Sequence, residues 1–323
     1  MVRTRLYRDG KLDDKDFPLE RVSDCIVDPK AVVWVDFTNP TAADLATLEE
    51  ELSLHQLAVE DALSDHERPK LDRYDSHLFL AAYNVHLDTT TGRLQTAEIK
   101  AFITKNALVT VHKSDFSMDP IVAHWDRESD RAGYGVPFLV WGLLDTIVDG
   151  HFDAVQQLDT EIETLEDALF ETRQQSSLAV QRRSFELRKS LVTLRRVVLP
   201  MREVVNTLLR RDVGLDDPTI MPYLQDIYDH VLRVTEWTES LRDLVTTILE
   251  TNINLQGNRM NLIMKKVTSW AAIIAVPTLI TGFYGQNIPF PGFSNEWGFA
   301  VSTALVIAAP VALYAAFKRN DWL

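Results

Sequence analysis

The chain is short of cysteine, of basic residues and, towards its end, of charge of any sign. Cys25 is the one cysteine in 323 residues, which excludes an intramolecular disulfide framework and a cysteine-based zinc cluster and suits a reducing compartment. The opening residues, MVRTRLYRDGKLDDKDF, contain no apolar stretch of the kind a secretory signal needs. Lys and Arg number 33 against 47 Asp and Glu, a net charge of −14. That sign argues against a nucleic-acid binder, which gains affinity by releasing phosphate counterions to basic residues. No Walker A loop, Gly-x-Gly-x-x-Gly, His-Glu-x-x-His or Gly-x-Ser-x-Gly motif occurs, so nothing suggests an enzyme. The eight histidines are scattered, and His66, His77 and His86 read as surface or half-buried side chains rather than ligands.

Charge is scarcest after Lys265. From Lys266 to the end there are three basic residues (Lys266, Lys318, Arg319) and two acidic ones (Glu296, Asp321), so the acidity lies wholly in the earlier part. Residues 267–284 and 297–317 form two charge-free apolar runs of 18 and 21 residues. As helices they span roughly 27–31 Å, the thickness of a hydrocarbon core. The alternative, a buried hairpin in a large soluble core, seldom shows two such runs side by side. Lys265 and Lys266 precede the first run and Lys318 and Arg319 follow the second, while the loop between them has no Lys or Arg. The positive-inside rule then places both termini in the cytoplasm. Trp297 at the outer edge, with Tyr314 and Trp322 towards the inner one, fits an aromatic belt.

The expected fold class is an α+β membrane protein with six segments. Residues 1–135 form a cytoplasmic α/β domain, with strands at 31–37, 78–86, 96–104 and 107–112, a helix start at Thr38-Asn39-Pro40-Thr41 and a helix at 115–131. Residues 136–218 form an antiparallel helical hairpin turning at Gln174-Gln175-Ser176-Ser177 and ending at 214–218. Its first arm is acidic, with no Lys or Arg from 132 to 172, and its second is rich in arginine. Whether those charges hold the arms together stays open, because exposed ion pairs contribute only ~0–1 kcal/mol each. Residues 219–284 read as one stalk helix that continues as the first membrane helix. Residues 285–296 form the outer loop, 297–317 the second membrane helix and 318–323 a cytoplasmic tail. A rod of roughly 95 Å, at 1.5 Å per residue, needs partner helices, most simply copies of itself around an axis.

A 3.5-residue repeat back from Thr278 picks out Ala275, Ala271, Thr268, Met264, Asn261, Gly257, Asn254 and Glu250, all small, polar or Met. Ile253, Leu262, Ile263 and Ile273 fall off it. At membrane depth such a face turns to other helices or to a water-filled path. A packing seam explains the small residues; the asparagines favour a pore wall. Met264 and Val267 would then form an apolar constriction at the inner mouth. At the outer end Gly285 can stop the helix and Asn287 can present a carboxamide, a hard neutral oxygen suited to a hydrated cation such as Mg²⁺, which gives up its waters reluctantly.

Tyr284-Gly285-Gln286-Asn287 at the end of the first of two C-terminal membrane helices resembles the signature of the CorA family of divalent-cation channels, Tyr-Gly-Met-Asn. Glu60-Asp61, His66-Glu67-Arg68-Pro69-Lys70, Pro200-Met201-Arg202-Glu203, Pro222-Tyr223, the run from Asp226 to His230 and the ending with Trp322-Leu323 extend the resemblance over most of the chain in the family's order. The resemblance implies a homopentamer in the cell membrane that carries Mg²⁺ inward down the membrane potential, often with Co²⁺ or Ni²⁺. It makes Gly285, Gln286 and Asn287 the outer selectivity site and Asn261, Met264, Val267 and Thr278 pore-lining, to which the stripe itself adds Asn254, Thr268, Ala271 and Ala275. It also implies a regulatory Mg²⁺ between subunits, at positions matching Asp61 and Asp226 with Glu60, Asp145 and His230 nearby, whose loss lets the subunits splay and the pore open. Gln286 departs from the signature Met, as the family's zinc-transporting branch also does, and so admits a Zn²⁺ or broad divalent transporter, proton-coupled or not. A tether that signals without conducting is the reading from another class, which any ion flux would exclude.

Overall fold

In the computed structural model the chain forms two compact units, Met1–Ile248 and Leu249–Leu323. The described residues are 1–170, 176–210, 218–286, 289, 291–293 and 295–323. The expected turns at 174–177 and 214–218 lie largely, and Asn287 wholly, outside them.

The first unit is built on a seven-stranded sheet: β1 (Val2–Arg8), β2 (Lys11–Lys15), β3 (Ala31–Thr38), β4 (Lys70–Arg73), β5 (Leu78–Asp88), β6 (Arg93–Ile103) and β7 (Ala107–His112), in the order β2-β1-β3-β7-β6-β5-β4. Only the central pair β3–β7 is parallel; the other pairs are antiparallel. β3, AVVWVDFT, is buried on both faces, which is what its nearly unbroken β-branched and aromatic run requires. On one face Val33, Val35 and Phe37 pack under Leu45 and Leu48 of α2 (Ala42–Glu51) and Ala58 of α3 (Gln56–Leu63), with α1 (Val22–Ile26) beside them. On the other face the Trp34 ring meets Trp125 of α4 (Asp119–Arg127) edge-on at 5.1 Å, and its Nε1 donates to Thr110 Oγ1.

The start of α2 follows the local chemistry of its turn. Asn39 takes a positive φ of 51°, and the Thr41 amide and hydroxyl each donate to the Asp44 carboxylate at 2.7 Å. The helix expected at 115–131 is shorter, because Pro120 sets its first turn and the chain tightens into a 3₁₀ segment over Ser129–Tyr134. Sequence patterning misses β1, β2 and β4.

The two long helices that follow are α5 (Val136–Phe170) and α6 (Ser176–Leu208). Their seam is apolar, with Val155, Leu158 and Ile162 of α5 and Leu187, Leu191 and Leu194 of α6 all buried. Among the described residues the ion pair joining these arms is Arg183 with Glu161. Burial, not opposite charge, therefore supplies most of the hairpin's cohesion. α7 (Met221–Tyr284) runs unbroken for 64 residues through the boundary between the two units. α8 (Glu296–Arg319) completes the second unit.

Candidate ion pathway and regulatory carboxylates

α7 and α8 are both long and apolar enough to cross a membrane, and almost none of their apolar windows is buried within the subunit. Within the second unit, α8 covers one side of α7. Ser269, Ile273, Val276, Ile280 and Tyr284 are buried or half-buried, Trp270 meets the Tyr314 ring at 6.5 Å, and Tyr284 and Gly285 share a cleft with Phe299 and Ser302. At about 100° per residue the covered face and the row Met264, Thr268, Ala271, Ala275, Thr278 lie on opposite sides of the helix. Every one of Asn254, Asn261, Met264, Val267, Thr268, Ala271, Ala275 and Thr278 is exposed in the single subunit. The Thr278 hydroxyl donates to the Ile274 carbonyl at 2.9 Å, which leaves its oxygen lone pairs facing out. At the inner end the Lys265 ammonium lies over the Trp322 ring at 5.9 Å, and Trp322 stacks on Phe317. The basic flanks of both membrane helices thus sit at the same level.

Towards the outer end, Ala275, Thr278, Gly282 and Gln286 line one groove of about 740 Å³. Gln286 therefore points to the same side as the stripe. Gly282, which the sequence reading passed over, belongs to this face, and the repeat carried forward from Thr278 would have found it. α7 ends at Tyr284, the Gly285 amide closing on Thr281 at 2.8 Å, so Gly285 stops the helix as its position suggested. Beyond it the outer segment folds back closely. A Cβ on Gly298 would stand 2.2 Å from the Gly292 carbonyl oxygen, and Gly292 itself needs a φ of 93°.

The five residues singled out for cytoplasmic metal fall into two groups within one subunit. Asp145 (α5), Asp226 and His230 (both α7) come together, with His230 Nε2 4.0 Å from Asp226 Oδ1. Two residues the sequence reading did not single out join them: Asp149, one turn along from Asp145, and His124 on α4, whose Nε2 lies 3.6 Å from Asp145 Oδ2. Burial and then the neighbouring Asp149 push the Asp145 carboxyl up to about 6. Burial, then Asp153, raises Asp149 as well, while burial and then Arg127 lower His124. The carboxylates crowd one another, and His230 offsets only part of their charge. Asp61, on α3, is bound instead to Lys70 Nζ at 2.6 Å, and Glu60 beside it is exposed. Asp61 and Asp72 hold the Lys70 amine above its usual range in spite of its burial. The donors are hard oxygens with an imidazole, which fit a hydrated divalent cation. Among the described residues of one subunit, however, no three His, Cys, Asp or Glu side chains converge as ligands.

The family described as CorA-like Mg²⁺ transporter protein matches residues 29–319 of the chain. The cobalt/magnesium transport protein CorA of Thermotoga maritima is 28% identical over 305 residues, covering 92% of this chain and 85% of that one. The zinc transport protein ZntB of Yersinia enterocolitica is 23% identical over 327 residues, covering 97% and 94%. Among solved structures, the complete CorA magnesium transporter of Methanocaldococcus jannaschii superposes with a TM-score of 0.77 at 21% identity, covering 100% of this chain and 99% of that one. The α/β unit, the long helices and the two C-terminal apolar helices are that fold. The chain belongs to the CorA-like Mg²⁺ transporter family, whose members move ions across membranes and are not enzymes.

Proposed function

We propose that the chain assembles as a homopentamer in the cell membrane, both termini cytoplasmic, and conducts Mg²⁺ inward through a pore lined by five copies of α7. The observation that carries this reading is the division of α7 into two faces. α8 covers one face of the apolar run, and the other is a row of small and polar residues in which Thr268 and Thr278 lie at membrane depth, while Asn261 and Asn254 continue the row before Lys265. Copies of α7 turned inwards would line a file of water and cargo with Asn254, Asn261, Thr268 and Thr278. Gly285, Gln286 and Asn287 would meet the hydrated ion at the outer mouth, and the exposed Met264 and Val267 would narrow the inner one. For regulation, Asp61 of one copy would face Asp226 of the next, with Glu60, Asp145 and His230 close by. Bound Mg²⁺ would neutralise these carboxylates and hold the ring closed; its loss would leave facing charges that push the copies apart and open the pore. To reach Asp61 the ion must compete with the Lys70 ammonium.

The test is ion uptake into liposomes holding the purified protein. Mg²⁺ flux that follows an imposed potential, is blocked by Mg²⁺ on the cytoplasmic side and disappears in Asn287→Ala supports the reading. Asp61→Ala together with Asp226→Ala should remove the block and keep the flux. The second reading, zinc transport, rests on Gln286 and on the full-length likeness to a zinc transport protein. Zn²⁺ flux that needs a proton gradient, with little Mg²⁺ flux, would decide for it.

A further inference from the structure

α6 buries one face in its own subunit and leaves a second apolar row uncovered. Leu178, Phe185, Val192 and Leu199 recur every seven residues and are 80%, 57%, 36% and 38% exposed. Heptad spacing keeps all four on one side of the helix. Exposed cations flank the row, Arg182, Arg188, Lys189 and Arg196 among them, and no ion pair among the described residues engages these four. α5 presents the reverse. Asp153, Glu163, Glu166 and Asp167 are exposed along it without a cationic partner among the described residues, on a helix that carries no Lys or Arg. Like charges so spaced on a helix repel one another unless a cationic surface covers them.

We propose that the Leu178–Phe185–Val192–Leu199 row of α6, with its arginine rim, docks on the acidic face of α5 of a second copy of this chain. The occupant follows from charge complementarity, since the chain itself carries the matching face. The two faces are different surfaces, so the contact is heterologous and repeats around a ring rather than closing a two-fold dimer. It is also continuous with the other surfaces assigned to assembly. α6 packs on β4, the strand carrying Lys70, the partner of Asp61, and α5 carries Asp145. The apolar row would form the desolvated centre of the contact and the charges its rim. Register follows from the hairpin. Arg183 pairs with Glu161, so the two stand at one height. Val192 is nine residues further along α6, and the antiparallel α5 reaches the same height at residue 152, beside the exposed Asp153. A ring axis parallel to the hairpin would keep that height and set Val192 of one copy beside Asp153 of the next.

This inference rests on the homo-oligomer proposed above, and the experiment separates the two. Two full-length chains with different tags, both Cys25→Ala, carry Val192→Cys and Asp153→Cys respectively. They are co-expressed, purified together and oxidised. The expected result is a shift from monomer to a covalent dimer carrying both tags, weakened when Phe185→Glu is added to the first chain. A control pair, Val192→Cys with Leu12→Cys on the exposed β2, should stay monomeric. No dimer band in an assembly that native mass spectrometry finds intact overturns the seam and leaves the oligomer standing. A band of equal strength in the control pair, or cross-linking to foreign protein only, also overturns it. Absence of any assembly would sink both readings.

Discussion

Asp145 is the residue whose removal should strengthen the fold. Its carboxyl titrates at about 6 in place of the ordinary 3.8, because burial and Asp149 disfavour its charge. A difference of that size amounts to about 3 kcal/mol of strain at neutral pH, and partial exposure screens it to about 1–2 kcal/mol. The sign follows from proton binding. Between pH 3.8 and about 6 the folded chain keeps a proton that the unfolded chain has lost, so stability falls as pH rises through that interval. Above about 6 the penalty is complete; below 3.8 it is absent. Asn has the shape of the protonated acid and carries no charge at any pH. Asp145→Asn should therefore raise the apparent Tm at pH 7.5 by about 2–8 °C, at about 2–4 °C per kcal/mol for a unit of this size. The gain should shrink through pH 6 and vanish near pH 4. The measurement is a tryptophan-fluorescence melt of the full chain with a metal chelator present, run from pH 4 to 8; Trp141 and Trp237 both lie in this unit. Added Mg²⁺ should then stabilise the parent more than the variant, since only the parent has charge to neutralise there. A variant less stable than the parent at pH 7.5, or a gain that ignores pH, would refute the assignment of strain to this carboxylate.

Asp36 tests the opposite case, a charge that is buried and satisfied. It is 0% exposed and accepts from Thr110 Oγ1 at 2.7 Å, from Arg3 at 3.2 Å and from His112 at 3.2 Å. Asp36→Ala strands those donors and should cost about 3–5 kcal/mol in chemical denaturation. Burial works against His112's charge but Asp36 raises its pKa, so the stability it adds is present below pH 6.5 and lost as pH rises above; His112→Gln should flatten that slope. In the hairpin, Arg183→Gln should change stability by no more than about 1 kcal/mol, whereas Leu191→Ala should cost about 2–5 kcal/mol; the reverse order would make the arms' charges their main cohesion. Gly298→Ala should distort the outer segment, because the new methyl meets the Gly292 carbonyl at 2.2 Å, and ion uptake should fall while the melt of the cytoplasmic unit stays where it was.

What the sequence disclosed depended on how local its signals were. β7 has the bounds its apolar run marks, 107–112, and the two membrane helices follow from charge-free length alone. β1 was missed because its alternate residues are Arg3 and Arg5, which read as solvent-facing. In the fold they reach Asp36, Asp119 and Asp126, partners 33 to 121 positions away that no local window contains. β2, KLDDK, is an exposed edge strand and carries no apolar alternation at all. The carboxylates proposed to regulate divide in the same way. Asp145 and Asp226 were legible as acids in the right order, but the arrival of His124 depends on how α4 packs across α5.

The charge pattern and the two-faced helix pose the same physical problem, that one subunit leaves interactions unfinished. α5 carries exposed acids with no cation of its own, α6 an apolar row rimmed by arginines, and α7 a small and polar row that α8 does not cover. Each costs free energy in an isolated chain, and each is relieved by a surface the same chain possesses. The three differ in how they respond to ions. Salt screens the α5–α6 rim, since exposed charges lose their attraction over about 8 Å at physiological ionic strength. The part of the α7 stripe from Thr268 to Thr278 falls within the apolar run and carries no charge for salt to screen. The Asp145–Asp149–Asp226 cluster is relieved by protons, and in the proposed function by a divalent cation. In the proposed assembly, Mg²⁺ would thus act on one contact while the other two hold the copies together. A regulated channel needs that arrangement: the copies must move when the ion leaves, and must not fall apart.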